Sequence, residues 1–188
     1  VVSFFWLINN HMTATLRQPQ NTNYLQPTKF LLTFDRLGDV QYFCQSVNIP
    51  GVNLGQAPFS TPMLDVFVPD TKMIYNPFSI HFTVDESLNS WQQLHLWFRS
   101  IAAPTGFDER NRLTALQNQY NGNNTKKNYS DATLTILSAL NNPILRVKFY
   151  NVFPITLSDI IFDTTQSADD IITSDAVFVF DYFDFEKA

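Results

Sequence analysis

The chain has 188 residues, a formal net charge of −5 and only 15% charged residues against 45% hydrophobic ones. That length suits one domain that buries roughly two-thirds of its unfolded surface. The 12 Lys and Arg are scattered, with Lys126-Lys127 the only adjacent pair, so a basic patch that grips phosphates is excluded. The single cysteine, Cys44, excludes an intramolecular disulfide framework. The 18 Phe, 7 Tyr and 3 Trp lean the chain toward β structure. They imply either a Phe-rich core or a large subunit interface.

In chain order, residues 1–8 (VVSFFWLI) are apolar but too short to span a bilayer, and they lack the flanks of a signal peptide. Met12 offers a natural start, which would make residues 1–11 an upstream extension. Residues 9–27 are polar and Pro-bearing, so residues 1–27 read as an extended N-terminal arm and residues 28–188 as one β domain. Residues 28–37 and 40–49 read as two strands of a hairpin turning at Gly38-Asp39. A loop then leads to a strand ending at Val68, a turn at residues 69–72, and a short strand at residues 73–75.

Residues 78–84 alternate strictly. Phe78, Ile80, Phe82 and Val84 fall on one face, and Ser79, His81 and Thr83 on the other. A polar strand face must sit somewhere wet, on the outer surface or on the wall of a channel. Asp85-Glu86 then opens a helix over residues 87–103, with Trp91, Leu94, Phe98 and Ile101 expected to pack on the sheet. Residues 104–129 form a long Asn-, Gly- and Lys-rich loop with a helical turn possible near residues 112–117. Three strands close the domain: Ala132 to Ile136 with Asp131, Thr133 and Thr135 on its polar face, Leu145 to Phe149, and residues 176–185.

No catalytic pattern emerges. His11, His81 and His95 fit no metal-ligand spacing, and the five glycines are too scattered to cradle a phosphate. Asp85-Glu86 suits a helix N-terminus better than an acid–base pair, and Cys44 reads as a small core residue. The expectation is no enzyme, no cofactor, no metal and no small-molecule substrate.

The order of pieces resembles the tail tube protein family of contractile-tailed bacteriophages. The likeness runs over roughly residues 28–185: FLLTF, then YFCQSVNIPG with its break at Pro50-Gly51. Its centre is Met63 to Gly106, with the turn at Pro69-Asp70, the alternating strand, Asp85-Glu86 and the helix ending WFRSIAAPTG. Val152-Phe153-Pro154, Thr156-Leu157 and Asp181-Tyr182 match in kind.

The resemblance implies a mainly β fold, a barrel or sandwich of about six to eight antiparallel strands with one flanking α-helix. It also implies a virion structural protein: a tail tube subunit in stacked hexameric rings whose channel conducts DNA during ejection. Its partners would be copies of itself, the tail sheath and the baseplate. It would reside in the virion tail after assembly in the host cytoplasm, with no membrane involved. A tube-fold baseplate component, either initiator or hub, is the alternative. A monomeric small-ligand-binding β-barrel is the reading from outside the family. Ser79, His81, Thr83, Asp131, Thr133 and Thr135 are the candidate exposed or channel-lining residues. Phe4, Phe5, Trp6, Leu7, Ile8, Lys126 and Lys127 are the candidate intersubunit contacts. The long arm and the 104–129 loop leave a baseplate or collar role open.

Overall fold

Among the described residues, eighteen buried apolar side chains, seven of them aromatic, lie between two antiparallel sheets and a helix. The computed structural model describes residues 23–106, 108, 111, 128–165, 167 and 170–187. Of the arm expected over residues 1–27, only 23–27 lie within it, and these are exposed. The candidate contacts Phe4, Phe5, Trp6, Leu7, Ile8, Lys126 and Lys127, and most of the 104–129 loop, lie outside the described residues.

The elements are β1 (Phe30–Phe34), α1 (Gly38–Phe43), β2 (Cys44–Val47), β3 (Val52–Ser60), β4 (Asp65–Tyr75), β5 (Phe78–Thr83), α2 (Asn89–Ala102), β6 (Ser130–Leu137), β7 (Pro143–Leu157), β8 (Thr173–Val179) and β9 (Tyr182–Lys187). Sheet A pairs β1 with β6, β6 with the first half of β7, and that half of β7 with β9. Sheet B pairs the second half of β7 with β8, β8 with β5, and β5 with β2. β7 therefore belongs to both sheets. It changes sheet at Asn151, whose φ of 55° lies in the left-handed region. Asn151 N donates to Asp131 Oδ1 at 3.1 Å, and its Nδ2 donates to Asp181 Oδ2 at 2.5 Å. An asparagine tolerates this backbone, and its side chain bonds across the corner.

Alternation puts Leu32 and Phe34 of β1, Ala132 and Leu134 of β6, and Val147 and Phe149 of β7 on the inner face of sheet A. Phe78, Ile80, Phe82, Ala176 and Phe178 form the inner face of sheet B. The faces meet through aromatic rings: Phe78 stacks at 4.8 Å on Phe149, and Phe34 lies 5.3 Å from Phe178. The abundant phenylalanines therefore do build a core.

The expected mainly β, antiparallel fold with a flanking helix is present, and the strands number nine among the described residues. Several local details differ from the sequence reading. Residues 38–43 form α1, not a turn and the start of a strand, and β1 and β2 do not pair. Leu37 and Val40, three apart, are both buried, and Gln93 Nε2 donates to Asp39 Oδ2 at 2.6 Å, so packing against α2 overrides the β preference of VQYF. The segment from residue 51 to 75 is a single long hairpin, β3–β4, where a loop and two short strands were expected. The last expected strand breaks at Phe180-Asp181 into β8 and β9, which serve different sheets.

α2 starts at Asn89, later than expected, and is flanked by left-handed Leu88 (φ 59°) and Ala103 (φ 42°). Its buried residues are Ser90, Leu94, Trp97 and Ser100. Trp91 and Ile101 pack against the core at its margin, but Phe98, expected to be core, is only half-buried on the flank. Trp97 takes that place. It is fully buried, lies 6.0 Å from Phe178, and its Nε1 donates to the Asn128 carbonyl at 3.1 Å.

Candidate functional site

The six candidate face residues stand on the outer sides of two different sheets, so they form two surfaces. On sheet B, Ser79 is exposed while His81 and Thr83 are half-buried. Asn48 Oδ1 accepts from Ser79 N at 2.6 Å, and Gln45 Nε2 donates to Thr83 Oγ1 at 2.7 Å. His81 pairs with Asp175 across the ladder, Nδ1 to Oδ1 at 2.7 Å. No Lys or Arg occurs in β2, β5, β8 or residues 152–157 of β7. On sheet A, Thr133 and Thr135 are half-buried on the outer face. Their neighbours across the ladder are Lys148 and Arg146, which in turn face Asp184 and Glu186. Lys148 Nζ lies 2.9 Å from Glu186 Oε2. Asp131 is bound to the corner at Asn151 rather than turned to an open wall.

The hairpin β3–β4 is the feature that reading by sequence missed. Its strands hold nine and eleven residues, and every residue but Gly55 and Tyr75 is exposed. Tyr75 roots it, lying 5.3 Å from Phe183 and 5.7 Å from Phe180. Beyond that root both faces are apolar. Phe59 pairs with Val66 and Ala57 with Val68 on one face, and Pro58 pairs with Phe67 on the other. Phe59 is 65% and Phe67 61% exposed. The tip is closed by Thr61, whose Oγ1 binds the Leu64 carbonyl. Opposite Gly55 the register shifts, and a Cβ on Gly55 would lie 2.8 Å from Asp70 Oδ2. The available signal was the density of apolar residues flanking Pro58 and Pro62, which the prolines disguised as a loop.

Two-stranded hairpins alone in water are marginally stable. This one exposes both faces, and among the described residues no strand pairs with either of its outer edges. Exposed apolar faces and open strand edges are features that association with another chain covers.

Little else points to chemistry. Burial pushes the Cys44 thiol up to about 11, although its Sγ bonds the Ser46 carbonyl, so it stays protonated near neutral pH. Among the described residues no group of three or more His, Cys, Asp or Glu could hold a metal ion. Among them, too, no helix is long and apolar enough to cross a membrane.

Comparison with known proteins agrees with this picture. Residues 8–186 match the family described as phage tail tube protein. The chain is 23% identical over 177 residues to the tail tube terminator protein of Enterobacteria phage T4, covering 88% of this chain and 90% of that protein. The tube-terminating cap of the anti-feeding prophage superposes with a TM-score of 0.62 at 14% identity, covering 94% of this chain and all of the cap chain. A chain of the sheath–tube complex of the PVC extracellular contractile injection system superposes with a TM-score of 0.59 at 13% identity, covering 89% of this chain and 94% of that one.

Proposed function

We propose that this chain, which belongs to the phage tail tube protein family, is a structural ring subunit that closes the end of a contractile tail's tube. The observation that carries the reading is the β3–β4 hairpin, apolar on both faces and rooted through Tyr75, which needs a neighbouring subunit to cover it. β1 and β2 end the main strand path and β9 ends its branch, so edges remain for closure between subunits. A hexamer is the ring we propose. The near full-length likeness to a tube terminator favours the tube end over its repeating body.

The outer face of sheet B, with Ser79, His81 and Thr83, is our choice for the channel wall. It carries polar side chains and no cation, so a passing DNA backbone meets nothing that grips it. The outer face of sheet A, with Thr133 and Thr135, would then face outward. The role is structural, not enzymatic, and the protein resides in the virion tail beside tube and sheath.

Electron microscopy of the purified protein mixed with tail tubes tests the reading. Single rings seated at tube ends are the expected result. Long tubes grown from this protein alone would instead support a repeating tube subunit, the reading favoured by the likeness to the sheath–tube complex.

A further inference from the structure

The two ends of sheet B differ in kind. In the β5–β8 ladder Phe78 faces Phe178 at one end and Thr83 faces Thr173 at the other. The β3–β4 hairpin is rooted at the Phe78 end, where Asn76 N donates to the Gly51 carbonyl. At the Thr83 end lie the start of α2 and the described residues of the segment 158–172. That segment is tied to β5 by Val84 N donating to the Ile172 carbonyl at 2.9 Å, and to α2 by Trp91 Nε1 donating to the Ser158 carbonyl at 3.2 Å.

Within it Ile161, Phe162 and Ile171 are 69%, 74% and 68% exposed. Large apolar side chains exposed to this degree within one short segment point to an interaction site. The described residues of 83–98 and 157–172 include Asp85, Glu86, Asp159, Asp163 and Asp170 and no Lys or Arg. The hairpin end, residues 48–77, carries Asp65, Asp70 and a single cation, Lys72.

We infer that the 158–172 end is a docking surface for a different protein, one that offers an apolar groove rimmed by Lys or Arg. A second copy stacked head to tail would bring its hairpin onto this end. The apolar parts would match, but the carboxylates would lose water against a surface with one lysine and two carboxylates of its own. Burying charge without a partner is disfavoured, and complementary potential selects the partner. The inference rests on the tube-end reading and deepens it: one end of the ring grips the tube, and the other recruits what lies beyond it.

Single-cysteine footprinting tests both parts separately. In a Cys44→Ala background, Met63→Cys reports the hairpin and Phe162→Cys the opposite end, each labelled with a maleimide. On rings bound to tail tubes, Met63→Cys should lose its labelling while Phe162→Cys keeps it. In complete tails, Phe162→Cys should lose its labelling as well. The double charge reversal Asp163→Lys with Asp170→Lys should leave tube-end binding intact and abolish complete tails. Labelling of Phe162→Cys that persists in complete tails, or that is already lost when the purified protein stacks on itself, overturns the inference. So does a charge reversal without effect. Labelling of Met63→Cys that persists on tubes overturns the tube-end reading instead.

Discussion

At Asn151 the backbone holds a φ of 55° and the side chain bonds Asp181 across the corner. Asn151→Val should therefore cost about 1–3 kcal/mol in chemical denaturation, since a β-branched residue resists this backbone and also loses that bond. Ala103 ends α2 at a φ of 42°, a conformation that favours glycine. Ala103→Gly should stabilise the domain by roughly 0.5–1 kcal/mol by the same measurement. Asp85 accepts from Asn89 N at 3.0 Å and from Ser90 N and Oγ at 2.9 and 2.7 Å. Slight desolvation pushes its carboxyl up, but the bonds from Ser90 and Asn89 outweigh this and hold it below the usual carboxylate range. Its contribution is thus present above the ordinary carboxylate pKa and is lost as pH falls through the lowered one. Asp85→Ala should lower stability at neutral pH by about 0.5–2 kcal/mol, and the gap between variant and parent should close in acid.

At the scale of elements, α2 and the hairpin behave oppositely. Trp97→Ala should cost about 3–5 kcal/mol, because the ring is fully buried against Phe178, whereas Phe98→Ala should cost about 1 kcal/mol or less. Shortening β3–β4 to a Gly-Ser turn should leave the melting temperature of the isolated subunit nearly unchanged and abolish ring assembly, read by native mass. These elements also mark how much was legible beforehand. β5 and β6 alternate without interruption, so their faces and burial could be read from period alone. The same alternation identified Ser79, His81 and Thr83 but could not say that Asp131, Thr133 and Thr135 lie on another sheet, because pairing joins residues about 100 positions apart. α1 was hidden because its helical packing comes from α2, fifty residues downstream. The hairpin was hidden because its apolar faces have no core of their own chain to mark them, and Gly55, Pro58 and Pro62 imitate a loop.

For the whole molecule, the order of strands sets when the subunit becomes competent to assemble. Thr33 in β1 meets Thr133 in β6, and β5 closes sheet B against β8, which begins at Thr173. Neither sheet is complete until β8 and β9, the last strands of the chain, have left the ribosome. Non-local pairing of this kind slows folding into the range of milliseconds to seconds. β3–β4, by contrast, pairs locally and can form within about 1–10 μs. The adhesive part of the protein is therefore ready before the body that positions it. Refolding followed by stopped-flow Trp fluorescence should show a slow phase for burial of Trp97 that the hairpin-shortened form retains, while aggregation during that phase should fall in the shortened form. In a cell, this lag makes the interval before sheet closure the period when the chain is most in need of protection from its own copies.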